Sequence, residues 1–246
     1  MALAQAIQLR TQLEGELSWR RDEVREVRNW RPTGPAVGSS DSHKRVLVVM
    51  IYAHLEGFVK AALQEYGKSI NDCGLTISDA QEVLAAACLA TEFKTYRQSE
   101  PSDPHDPHSK HSRQILKDAR LVEKIRELNE RRIKLDLDEV LSTDSNLSPI
   151  VLRRNLAMLA IDHSSFNSFM RHIAGLLKRR NPIAHGDQVK LPNDKEMIEL
   201  EESVFTLCET LMKVLYESAR DEGYKRTPHG SVTPQPSAPS VSSGTK

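Results

Sequence analysis

The stretch that most constrains the fold is RVLVVMIYAHLEGFVKAALQEY, residues 45–66. From Val46 to Leu55 it is apolar on almost every side. The β-branched run Val46 to Ile51 fits a strand. The pattern then continues through Leu55, Phe58, Val59, Ala62 and Leu63 in steps of three and four, far past ordinary strand length. A long helix over 42–70 is therefore expected. A helix that is apolar all round must be covered all round, so it belongs at the centre of a bundle. The chain has 11 glycines and 5% aromatic residues among 246 residues. That is too little turn- and strand-forming material for a β sandwich or barrel.

Other helices can be read around this rod. Residues 2–31 carry Leu3, Ile7, Leu13, Leu17, Val24 and Val27 as one stripe, and RPTGPAVGSS (31–40) ends that helix. Ser78 as N-cap, with Asp79 behind it, predicts an alanine-rich helix over 78–97. Residues 113–132 and 150–161 read as helices, and 133–149 as extended or irregular. Residues 195–219 close the bundle with Met197, Leu200, Val204, Leu207, Leu211 and Leu215. The polar loop 99–112 spaces His105, His108 and His111 three apart, but prolines break any helix that would align them, so no metal site is assigned. The Pro/Ser/Thr tail, 225–246, has no apolar pattern and is expected to be disordered. The expected organisation is one all-α domain over 1–224, with a long N-terminal helix and a floppy tail.

Charge sets a limit on partners. Lys plus Arg and Asp plus Glu are 34 each, so no overall grip on nucleic acid or membrane is indicated, and a basic region would have to be local. Cys73, Cys88 and Cys208 are odd in number and form no CxxC, which points to free thiols in a reducing cytoplasm. No run approaches eighteen consecutive apolar residues, and the N-terminus lacks a basic start followed by an apolar core. Neither a membrane span nor a signal peptide is expected.

The residues that suggest chemistry are KRRNPIAHGDQ, 178–188. A helix from Ser164 or Ser165 places Phe166, Phe169, Met170, Ile173, Leu176 and Leu177 on one stripe, and the next step lands on Arg180. An unpaired buried guanidinium is costly, so Arg180 needs a partner or an opening. Pro182 lacks an N–H and disfavours helical geometry at Asn181, so the helix is expected to stop near Arg180. Asn181 as N-cap and Pro182 as first residue would restart it and fold His185 back beside Arg180. Gly186 would allow a sharp exit. Arginine can fork onto phosphate oxygens, and histidine moves protons near neutral pH. Together they suit RNA cleavage. One histidine per chain is awkward for acid and base together, and a symmetric dimer would supply two. The plain alternative is a helix-capping arginine and a structural histidine.

The motif LLKRRNPIAHGD resembles that of the HEPN superfamily (higher eukaryotes and prokaryotes nucleotide-binding), an arginine followed at short range by a histidine, commonly RNxxAH. Arg180, Asn181, Ala184 and His185 occupy the matching positions. YAHLEGFVKAALQEY (52–66) and TDSNLSPIVLRRNLAMLAID (143–162) are similar to segments of a prokaryotic ribonuclease-like branch, so the likeness covers most of 1–220. It implies a four- or five-helix bundle that dimerises with its motifs face to face. It also implies a metal-independent endoribonuclease without a cofactor, serving antiviral defence or toxin–antitoxin growth arrest, with a neutralising or sensing partner protein. Arg180 would contact the phosphate, His185 would carry the proton, and Asn181 would shape the loop or touch substrate. Some toxin relatives have tyrosine two residues after the histidine. This chain has Asp187 there, which either orients His185 or merely ends the turn. Glu56 shares a helix face with Tyr52 and Lys60; it either orients Arg180 or His185, or forms an ordinary pair with Lys60. Lys178, Arg179 and Arg154, with Arg153 beside it, are candidate RNA contacts. The competing readings are a non-catalytic HEPN module that binds RNA, nucleotide or protein, and a helical adaptor.

Overall fold

The structure, a computed structural model, describes residues 2–30, 39–99, 110–141 and 146–227. Its elements are α1 (Ala2–Asn29), α2 (Ser39–Asp72), α3 (Glu82–Cys88), α4 (Ala90–Gln98), α5 (Lys110–Leu128), α6 (Leu137–Val140), α7 (Pro149–Met158), α8 (Met170–Ala184) and α9 (Asp194–Arg220), with a 3₁₀ stretch, Ser164–Phe169, leading into α8. The described residues contain no strand, only isolated bridges at Thr76–Arg132 and Ala80–Lys225. The all-α expectation holds. The histidine-bearing stretch 100–109 and the tail from 228 onward lie outside the described residues.

Three long helices, α1, α2 and α9, form the body, and α8 packs against α2 and α9. α1 buries Ala6, Leu9, Leu13, Leu17 and Val24, a stripe at helical spacing. α9 begins in a capping box, Asn193 with Glu196, which satisfies backbone donors that a helix start leaves open. α2 buries residues on nearly all sides, among them Val48, Ile51, Tyr52, Leu55, Phe58, Val59, Leu63 and Tyr66. Its span Asp41–Asp72 has a stretch of mean hydropathy 1.7, long and apolar enough by composition to cross a bilayer. α2 reaches that value without an unbroken apolar run, and half of that stretch is covered inside the bundle. Cys208 is buried, Cys73 and Cys88 are half-buried, and all three are free thiols.

Three local expectations are overturned. The helix expected over 78–97 starts later and breaks at the buried Leu89. Ser78 donates its N–H to Asn129 and bonds Thr76 through its side chain, while Ala80 bridges to Lys225, so this stretch is used in tertiary pairing before a helix can begin. Within 133–149, residues 137–140 are helical, because Asp136 accepts from Asp138 N and Glu139 N. The motif helix neither stops at Arg180 nor restarts; α8 runs through Pro182 to Ala184.

Candidate functional site

Pro182 is tolerated because of where it sits. A proline in a helix forfeits one hydrogen bond, from its own nitrogen to the carbonyl four residues back. Here that is a single bond in the last turn. His185 N–H still reaches Asn181 O at 3.2 Å, Gly186 N–H reaches Ile183 O at 3.1 Å, and Asp187 N–H reaches Pro182 O at 2.9 Å. The last two bonds, with Gly186 at φ +85°, make a Schellman ending, in which a left-handed residue satisfies the final carbonyls. The glycine in the motif is thus the helix stop, and the proline is not.

Continuity has a geometric consequence. Residues five apart on a helix point about 140° from each other. Arg180 and His185 of one chain therefore diverge, contrary to the expectation that a kink would fold His185 back beside Arg180.

Arg180 lies on the buried stripe between Leu176 and Ile183, as the spacing predicts. Its guanidinium carbon sits 5.0 Å from the centroid of the Tyr52 ring. One terminal nitrogen donates to Asn146 Oδ1 and to Asn181 Oδ1, both at 3.1 Å. Its Nε is buried and has no hydrogen-bond partner among the described residues. No carboxylate among them pairs with it. A π face and neutral amides orient the charge without cancelling it.

Beneath the guanidinium is a second layer. Tyr52 donates to Glu56 Oε1 at 3.0 Å, and the same oxygen accepts from Leu147 N–H at 2.8 Å. Tyr52 is fully buried. Burial, then the Glu56 carboxylate, push its phenol well above the ordinary tyrosine value, while Arg180 pulls the other way. It therefore stays a neutral donor. Glu56 makes no hydrogen bond to Arg180 or His185 and no ion pair with Lys60 among the described residues. It acts one residue removed, by fixing Tyr52 and the chain around Leu147.

His185 is exposed at the end of α8, and no described residue hydrogen-bonds its ring. The Asp187 side chain is exposed and makes no hydrogen bond to that ring; Asp187 ends the turn through its backbone. Lys178 is exposed and Arg179 half-buried on α8, and Arg154 is exposed on α7, which packs against α8. Sequence reasoning missed Asn146, which has no periodicity to announce it, and Arg45, described below. Tyr52 had a signal, its four-residue spacing to Glu56.

The charge around these residues is segregated. Residues 149–190 hold seven Lys or Arg against two Asp and no Glu. Arg45, Arg154, Lys178, Arg179, Arg180 and Lys190 form no ion pair among the described residues. On α1, by contrast, Arg10, Arg20, Arg21, Arg25 and Arg28 are each paired with a carboxylate. Net neutrality hides a basic α7–α8 region. Among the described residues no group of His, Cys, Asp and Glu gathers in a metal-binding cluster.

An all-α bundle in which a long motif helix ends in Arg-Asn-x-x-Ala-His defines a class of HEPN-type domains. The chain belongs to the HEPN_MAE_28990-like HEPN family, which matches residues 9–224. No curated protein and no solved structure matches it. Membership of this family suggests a nuclease or nucleotide-binding module.

Proposed function

We propose that the protein is an endoribonuclease working as a homodimer, without need of a metal, on cellular RNA in the cytoplasm, in a growth-arrest or antiviral setting with a neutralising or sensing partner protein. The observation that carries this reading is Arg180, an oriented guanidinium with no carboxylate partner among the described residues, on the same helix end that carries an exposed histidine. Such a cation suits a phosphate oxygen. In the reaction, one imidazole takes the proton of a ribose 2′-OH and the 2′-oxygen attacks phosphorus. The 5′-oxygen leaves with a proton from a second imidazole, giving 2′,3′-cyclic phosphate and 5′-hydroxyl ends. Arginine stabilises the charge that builds on the phosphate. Divergence of Arg180 and His185 within one chain favours a site assembled from two copies. Exposed apolar residues adjoin the motif contacts in sequence: Val46 beside Arg45, and Ile150 near Asn146 and Leu147.

A second reading has its own support. The His185 ring has no orienting partner among the described residues, whereas a proton-transferring histidine is usually held by one. A non-catalytic module that binds RNA, nucleotide or protein would need none. The test is incubation of wild type, His185→Ala and Arg180→Ala with total tRNA and mixed RNA in EDTA, reading product ends. Wild-type cleavage to cyclic phosphate ends, lost in both variants, supports the enzyme. RNA binding without cleavage supports the module.

A further inference from the structure

α2 grips the motif at two points. Tyr52 underlies Arg180. Arg45 donates from a terminal guanidinium nitrogen to the carbonyl oxygen of Asp187 at 2.7 Å. Arg45 and Tyr52 are seven apart on α2, and Arg180 and Asp187 are seven apart on α8 and its turn. Two antiparallel helices matched in this way share a register. Seven residues are close to two turns, about 10.5 Å, so both grips lie on one face of α2. The neighbouring residue extends the hold: Lys44 Nζ pairs with Asp194 Oδ1 at 2.8 Å at the start of α9. Consecutive residues of α2 thus fasten both ends of the connection that follows His185.

We propose that Arg45 is a positioning residue for His185. The imidazole has no described hydrogen-bond partner of its own, so its placement depends on the backbone that carries it. That backbone ends in a turn with Gly186 at φ +85°, closed by the two Schellman bonds and tied to the bundle through Asp187 O by Arg45. A charged donor on a carbonyl is the stronger kind of hydrogen bond. Arg45 is half-buried and meets no carboxylate among the described residues, so the latch adds positive charge near the histidine. The role rests on reading His185 as catalytic, while the latch itself does not.

The experiment uses the full chain with Arg45→Met, which keeps bulk and loses the donors, and Arg45→Lys, which keeps one donor. Amide hydrogen exchange over 183–192 and the kcat and KM of RNA cleavage are measured together. Arg45→Met should speed exchange over 183–192 by about tenfold, leave α1 and the centre of α9 unchanged, and lower kcat by about tenfold with KM within about twofold. Arg45→Lys should fall between it and wild type. Unchanged exchange over 183–192 overturns the latch, whether or not wild type cleaves RNA. Faster exchange with unchanged kcat overturns the positioning role. A raised KM with unchanged kcat also overturns it, making Arg45 an RNA contact instead. If wild type cleaves nothing, the endoribonuclease reading fails and exchange alone decides the latch.

Discussion

Tyr52 presents its ring to Arg180 and its hydroxyl to Glu56, and these two roles separate by substitution. Tyr52→Phe keeps the ring and loses the hydroxyl, which should cost about 1 kcal/mol in urea unfolding and leave cleavage within a few-fold of wild type. Tyr52→Leu loses the cation–π face, worth about 1–2 kcal/mol when partly desolvated, and cleavage should fall much further than in Tyr52→Phe. Equal cleavage by the two variants would mean that the ring does not seat Arg180. Glu56→Ala strips the acceptor from Leu147 N–H, and Leu147 is 4% exposed; unfolding should show a loss of about 1–3 kcal/mol. Glu56→Gln keeps an acceptor and should lose less. At this scale Arg180 was legible, because the apolar stripe of α8 runs into it. Asn146 was not, because a loop residue that reaches a helix from 34 positions away leaves no periodic trace.

At the scale of elements, the end of α8 shows where sequence rules compete. Proline rules put the stop at Arg180, and glycine rules put it at Gly186. The glycine rule prevailed because the proline forfeits one bond in a turn that closes with three others. Gly186→Ala meets nothing within 4 Å, so its cost is conformational alone, about 1 kcal/mol in thermal or urea unfolding, and Gly186→Asn should lose less. The α1–α2 seam holds a different element-level property. His54 Nε2 lies 3.2 Å from Glu23 Oε2, with the Trp19 ring edge-on to its own. Burial pulls the His54 pKa down, Glu23 raises it and Arg20 lowers it, for a net decrease. The unfolded chain therefore binds the proton more readily, so stability rises with pH across this window. His54 contributes fully above the ordinary histidine pKa of about 6.5, and the contribution fades as pH falls below it toward the folded value. Urea midpoints at pH 7.5 and 5.5 should differ less in His54→Gln than in wild type.

At the scale of the whole molecule, the long helices were legible to within a few residues, because each carries a stripe that must be buried. The shorter pieces around α3 and α6 were not, because bridges and side-chain caps from distant segments decide them. The charge distribution was half legible, since a net charge of zero says nothing about which cations are paired. If the unpaired set on α7 and α8 holds RNA, affinity should fall with salt, and Lys178→Ala with Arg179→Ala should lower the log–log slope by about 0.7 per lost phosphate contact. Filter binding across a salt series checks this. The character of α2 has a consequence for how the chain is made. Much of its cover is α9, which starts at Asp194, while α2 ends at Asp72. At roughly 5–20 residues per second, translation leaves this apolar helix waiting on the order of ten seconds for α9, with α1 and later α8 as its main partial cover. During that interval a chaperone or a membrane surface competes with the protein's own last helix. A chain ended at residue 193 should therefore pellet when expressed, and supplying α9 in trans should rescue part of it.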